Sequence, residues 1–283
     1  MSANKAILQK KHTSSGAAPE RVAPTSRNPA RGSGWSQRPG LSYLISLAAG
    51  VLVWELVSRQ LPGVVFASPL ATLQRLVEDS INLKLPLALA HSLGHMTLGF
   101  VLALLVAVPL GFLMGRNEKA FVMLDPVVNA IYAIPTVAFV PFLIIWFGLF
   151  FEGRTALVFV MCVFDILVTV AAGARNIDPS LLEVGRSFGV RGWQRMRLVL
   201  LPASMPFLFT AMRIGMARAV NAMITAELFL ATVYLGKYMQ DSAARFDSAG
   251  ILAVIVILCA VGLGTQGALK RLESRMLPWH LQS

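Results

Sequence analysis

The sequence predicts an all-α, polytopic membrane protein with six transmembrane helices, and three observations predict it. Hydrophobic residues make up 56% of the 283 and charged residues only 14%, where an ordinary soluble domain carries about a quarter charged. Mean hydropathy is +0.66; a core of this size cannot hide that much apolar side chain, which sets a soluble enzyme aside. Six apolar stretches, at residues 41–58, 88–114, 121–149, 155–174, 204–232 and 249–268, recur along the chain. Each is long enough to cross roughly 30 Å of hydrocarbon at about 1.5 Å per helical residue.

Residues 1–40 hold Lys5, Lys10, Lys11, Arg21, Arg27, Arg31 and Arg38 against a single acid, Glu20, with much Ser, Pro and Gly and no apolar periodicity. This composition predicts a disordered basic tail, too long and polar for the charged start of a cleaved signal peptide. Residues 41–280 then form one transmembrane domain. The third and fifth stretches carry Pro126, Pro135 and Pro141, and Pro202 and Pro206. Membrane helices tolerate proline where neighbours satisfy the freed carbonyls, so both are expected to be kinked, broken or partly outside the lipid. Cys162 and Cys259 lie inside apolar runs and read as small buried residues rather than a disulfide or zinc site.

Orientation follows from Lys and Arg in alternate connections, because positive charge disfavours translocation of short loops. The tail, the 116–119 turn, the 175–203 loop and the C-terminal end carry seventeen, against six on the other side. Both termini are therefore expected in the cytoplasm. The net charge of +11 is then topology plus attraction to anionic lipid, and nucleic acid is not an expected partner.

Residues 175–203 form the longest cytoplasmic connection apart from the tail. Ser180-Leu181-Leu182-Glu183 has capping-box spacing, and Asp178-Pro179 is a competing N-cap with proline at the first helical position. Gly189 sits where a left-handed residue would end the helix, and Leu181, Leu182, Val184 and Phe188 give it an apolar side. A short helix of about two turns is expected beside the membrane.

Glu183-Val184-Gly185-Arg186-Ser187-Phe188-Gly189, then nine residues, then Val199-Leu200-Leu201-Pro202, resembles the EAA loop of ABC-importer permeases. Val184 and Gly185 replace its two alanines and Val199 its isoleucine. Ser68-Pro69, His91-Ser92-Leu93, the run from Pro109 to Gly115, Asp125-Pro126, Ile134-Pro135 through Pro141 to Trp146-Phe147-Gly148, Arg213-Ile214 to Ala226-Glu227, and Leu277-Pro278-Trp279 are similar to the subfamily serving nitrate, taurine and aliphatic-sulfonate uptake, with relatives importing vitamin precursors. Tyr234-Leu235-Gly236-Lys237-Tyr238 departs from the Gly-Leu-Gly-Tyr often found there.

The resemblance implies a multi-pass subunit of the bacterial inner membrane, acting as a pair of copies by alternating access. Its implied partners are cytoplasmic ATP-binding subunits and an extracytoplasmic solute-binding protein, where most selectivity resides. Glu183, Gly185, Arg186, Gly189, Leu201 and Pro202 are the implied ATPase-coupling residues, with Trp193 and residues 198–201 as apolar anchorage. The sequence holds no Gly-x-x-x-x-Gly-Lys-Ser/Thr phosphate loop, so ATP hydrolysis is expected in a partner, and this chain is expected to be neither an enzyme nor a cofactor carrier. The plainer alternative is a basic amphipathic segment resting on anionic lipid.

Polar residues inside spans are expensive and are functional candidates. Asp165 and Glu227 lie deep in their segments; each either faces a water-filled pathway, is protonated, or is held by a hydroxyl or an Arg from another helix. If they line the pathway, an acidic wall favours a zwitterionic or cationic solute. Arg213 and Arg218 either snorkel to headgroups or form an inner gate. An ATP-independent carrier using Asp165 and Glu227 is the rival reading. His91 and His95 share a helix face without a third ligand, so no metal is expected. Gly111 and Gly115 permit close helix approach, within the chain or to its twin.

Overall fold

The computed structural model describes residues 39–190, 192–230 and 233–277. The tail expected over residues 1–40 lies outside these, except that its last two residues open the first helix. Two compact units divide after Ala49. The first contributes the start of α1 (Pro39–Gln60), and the second, from Gly50, holds every other element.

Described residues form α2 (Pro69–Ile81), α3 (Lys84–Arg116), α4 (Glu118–Tyr132), α5 (Val140–Phe147), α6 (Phe151–Arg175), α7 (Pro179–Ser187), α8 (Gly192–Arg195), α9 (Leu201–Phe229), α10 (Tyr234–Ala244) and α11 (Ser248–Met276). Five helices are long and apolar enough to cross a membrane, and a sixth span results if α4 and α5 count as one. All six expected stretches are present as helix.

The third stretch is broken, as its prolines predicted. α4 and the helical run Thr136–Phe147 meet at 88°, across residues 133–135. Pro135 supplies no N–H and holds Ile134 away from helical backbone, so the hydrogen-bond ladder cannot cross. Of the outcomes expected for the fifth stretch a break is not the one formed, since α9 is one continuous helix with Pro206 inside it. Pro202 lies in its first turn, where the N–H has no partner to lose. Upstream, residues Met196–Leu200 form a π-helical turn, whose wider winding makes room for the proline ring.

α2 and α10 are amphipathic helices outside the spans that the apolar stretches did not reveal. Ser68 caps α2, its hydroxyl accepting the Ala71 N–H at 3.2 Å, and Pro69 opens the first turn. Asp79 of α2, 1% exposed, accepts the Tyr238 hydroxyl of α10 and pairs with Arg75 at 3.2 Å. Arg75 in turn reaches Asp247 at 3.1 Å, so α2, α10 and α11 are locked together. Burial, reinforced by the hydrogen bond to Asp79, pushes the Tyr238 hydroxyl up to about 12. Its neutral form is favoured in the fold, so this tie is fully present below about pH 10 and is lost as pH rises through 12.

α3 and α6 pack along most of their length. Gly99, Ala103, Ala107, Gly111 and Gly115 recur every fourth residue of α3 and make one smooth stripe. A Cβ on Gly99 would stand 2.7 Å from the Thr155 carbonyl oxygen, one on Gly111 2.8 Å from Val170, and one on Gly115 2.6 Å from the Ala171 carbonyl oxygen. The Gly111/Gly115 pair therefore serves packing within the chain. Gly111→Leu is expected to cost about 1–3 kcal/mol by overpacking, read as a lower unfolding midpoint in detergent that Val170→Ala partly restores. Cys162 is buried at this core, whereas Cys259 is exposed on α11.

Candidate functional site: the α7 segment and the broken span

Of the two possible starts for α7, Asp178-Pro179 is the one formed. The Asp178 carboxylate accepts the Ser180 N–H at 2.8 Å, and this hydrogen bond holds the carboxyl below its ordinary range. The helix ends as the glycine predicted: Gly189 has φ +73°, and Val190 N–H donates back to the Gly185 carbonyl at 3.1 Å, the closure that a left-handed residue permits. Between these ends Gly185 is buried, and a Cβ there would stand 3.0 Å from Val199 Cγ2 in the π turn. Two of the three departures from the EAA pattern, Gly185 and Val199, thus face each other.

Leu181, Val184 and Phe188 flank Gly185 on the same side of α7 and are 47%, 54% and 81% exposed. They form an uncovered apolar ridge at helical spacing, bordering a hollow of about 460 Å³ shared with Val199 and Pro202. Ile177 and Leu200 are buried at the two roots of the segment, whereas Leu198, expected as anchorage, is 63% exposed. Glu183 is exposed, as are Leu201 and Pro202; the side chains of Arg186 and Trp193 lie outside the described ones.

Just before α7, Arg175 binds both oxygens of Glu118 at 3.1 and 3.2 Å. Its guanidinium also lies 4.1 Å over the Phe121 ring, and Arg116 donates to the Ala174 carbonyl at 3.3 Å. The last turn of α6 is thereby tied to the first turn of α4.

The far end of α4 reaches the second site. Tyr132, the last residue before the break, donates its hydroxyl to Asp165 Oδ1 at 2.9 Å. Arg218 of α9 grips the same carboxylate, Nε to Oδ2 at 2.5 Å and Nη2 to Oδ1 at 3.4 Å. These three residues line a cavity of about 330 Å³ whose wall is completed by the non-helical backbone of 133–135 and by Phe139, Met161 and Phe164. Irregular backbone at membrane depth is sustained where it borders a cavity.

Arg213 and Glu227 stand apart from this cavity. Arg213 pairs with Glu273 of α11, and its carbonyl accepts from Gln266 at 3.0 Å. Five residues apart on one helix, Arg213 and Arg218 necessarily face different neighbours. Glu227 is fully buried: Oε2 accepts the Gly236 N–H at 2.9 Å, and Oε1 lies 3.7 Å from Nε2 of an equally buried His95. Next to it Tyr234, at φ +50°, is stacked on His91 at 4.9 Å and lies 5.3 Å beneath the Arg154 guanidinium. Of the alternatives for the two carboxylates, Asp165 is held by a hydroxyl and an arginine from other helices and Glu227 is sealed among helices, so the two form no shared acidic wall, and the exposed charge at the cavity is Arg218.

Residues 107–278 match the family described as the binding-protein-dependent transport system inner membrane component. The chain belongs to this family. The permease is 26% identical to the taurine transport system permease protein TauC of Escherichia coli (strain K12), over 85% of this chain and 92% of that one. It is 27% identical to the formylaminopyrimidine transport permease protein ThiX of Halalkalibacterium halodurans, over 85% and 95%. A chain of the MetNI methionine ABC transporter in an inward-facing conformation shares the fold, with a TM-score of 0.62 at 20% identity over 70% of this permease and 98% of that chain. The permease is thus a multi-pass inner-membrane subunit of an ABC importer, with ATP hydrolysis in a partner subunit. This overturns the rival reading of an ATP-independent carrier.

Proposed function

We propose that the permease works as a pair of identical copies, each with α7 held in a groove of a cytoplasmic ATP-binding subunit. Closure of those subunits on ATP rocks the membrane helices and passes a small solute from the binding protein to the cytoplasm. The uncovered ridge of Leu181, Val184 and Phe188 carries this reading, because it belongs to a helix whose two ends are already fixed and whose Gly185 meets the π turn. A helix so tethered moves as a lever, and the tie of Arg175 to Glu118 and Phe121 passes its displacement to α4, hence to the break beside Tyr132.

In this reading Glu183, Gly185, Arg186, Gly189, Leu201 and Pro202 form the coupling segment. Asp165 and Arg218 border the pathway, Arg213 closes its inner end by its pairing with Glu273, and Glu227 holds the 233–236 backbone in place for α10. The excess of Lys and Arg on one side supports cytoplasmic termini and a cytoplasmic 1–40 tail attached to a 41–280 transmembrane domain. α2 and α10 then face the binding protein. The resemblance to the nitrate, taurine and aliphatic-sulfonate subfamily, together with the taurine and formylaminopyrimidine relatives, supports a sulfonate, taurine, nitrate or vitamin-precursor-like solute.

Tagged permease purified in mild detergent is expected to carry ATP-binding subunits with it. Glu183→Ala is expected to lower ATP-dependent uptake by at least about tenfold, a coupling loss near 1.4 kcal/mol, at an unchanged membrane level. Wild-type uptake in that variant would remove Glu183 from the coupling segment.

A further inference from the structure

The cavity at the break presents one unsatisfied charged edge. Asp165 is 6% exposed and both of its oxygens are occupied, Oδ1 by the Tyr132 hydroxyl and Arg218 Nη2, Oδ2 by Arg218 Nε. The Arg218 side chain is 41% exposed, and its Nη1 makes no hydrogen bond among the described residues. The guanidinium is therefore fixed along one edge and open along the other. Such a planar, pre-oriented donor pair matches the paired oxygens of a carboxylate or sulfonate. The remaining wall mixes the apolar side chains of Ile134, Phe139, Met161 and Phe164 with Thr136 and the non-helical backbone of 133–135. At about 330 Å³ the space is at the small end of small-molecule sites, which start near about 300 Å³.

A cation entering here meets no free carboxylate, and a neutral solute leaves the open guanidinium edge unmatched. With the cavity empty, Asp165 neutralises an arginine that would otherwise be costly at this depth. We infer that the cavity is a solute-contact site of the permease itself, which takes the acidic head of a small organic anion on the free edge of Arg218. Asp165 and Tyr132 act as positioning residues, and the aromatic wall covers the apolar body. This inference rests on the permease reading above and adds to it a second test of charge sign, inside the membrane and after release from the binding protein.

The test uses the wild-type complex of permease and ATP-binding subunits, purified without binding protein and treated with phenylglyoxal, which modifies arginine. Labelling of each arginine peptide is followed by mass spectrometry in sodium ethanesulfonate, in tetramethylammonium chloride, and in sodium chloride at equal ionic strength. Ethanesulfonate is expected to slow labelling of Arg218 by about tenfold at ten times its Kd, as occupancy of a single site requires. Arg213, paired with Glu273 away from the cavity, is expected to react at an unchanged rate, and tetramethylammonium to protect neither. In cells, uptake of ethanesulfonate is expected to fall more in Arg218→Gln than in Arg218→Lys. Equal labelling of Arg218 with and without ethanesulfonate, or equal protection by tetramethylammonium, overturns the site. If ATP-binding subunits co-elute and hydrolyse ATP while Arg218 is unprotected, the anion site falls and the permease reading stands. If no ATP-binding subunit co-elutes, both fall.

Discussion

Asp165→Ala is expected to abolish ATP-dependent uptake and to lower stability by about 3 kcal/mol, the lower end of the cost of breaking a buried pair at one partner. The lower end applies because Arg218 is 41% exposed and keeps access to water in the cavity. What remains is an arginine at membrane depth with neither a carboxylate nor the Tyr132 geometry to fix it. Combining Asp165→Ala with Arg218→Met removes the stranded charge, so the double variant is expected to regain most of the stability and none of the uptake. Unfolding midpoints in detergent, compared with uptake into cells at matched membrane levels, separate the two effects. An Asp165→Ala protein with wild-type midpoint and wild-type uptake would show the pair to be incidental.

Gly185→Leu is expected to uncouple the transporter. The side chain would have to enter space already bounded by Val199 Cγ2, where even a Cβ stands at 3.0 Å. Overpacking of this kind costs about 1–3 kcal/mol, and the cheapest escape is for α7 to lift from the π turn, because Leu181, Val184 and Phe188 are uncovered among the described residues. ATP hydrolysis in the assembled complex is then expected to continue while uptake falls by at least about tenfold. Val199→Ala in the same chain opens the contact and is expected to recover part of the uptake. If Gly185→Leu leaves uptake and its ATP dependence unchanged, the Gly185–Val199 contact does not transmit force.

What could be read from the sequence was what local chemistry dictates. Apolar runs revealed the spans; Pro126, Pro135 and Pro141 marked the third as interrupted, although α4 runs on through Pro126; two competing caps and Gly189 marked the limits of α7. The 88° bend was not legible, since a proline says that the ladder stops but not where the next helix points. Tyr132 was missed because its role depends on Asp165, on another helix. The same holds for Asp79 and Tyr238, 159 residues apart, although Ser68-Pro69 is a helix start that could have disclosed α2. Which of the alternatives for Asp165 holds was not legible for a related reason. A carboxylate in an apolar run announces itself, but whether it is free or already held by an arginine is decided only by the fold. Arg213 and Arg218 looked alike in sequence and differ because helical geometry turns one toward α11 and the other toward α6.

The stripe of small residues on α3 has a bearing on how movement in this protein would be observed. Two helices in backbone contact along so much of their length cannot slide without steric clash at Gly99, Gly111 and Gly115, and cannot separate without opening a void between them. α3 and α6 therefore serve as a fiducial frame. Labels on that pair are expected to keep their separation through a transport cycle, so that any displacement of α4, α7 or α9 can be measured against them.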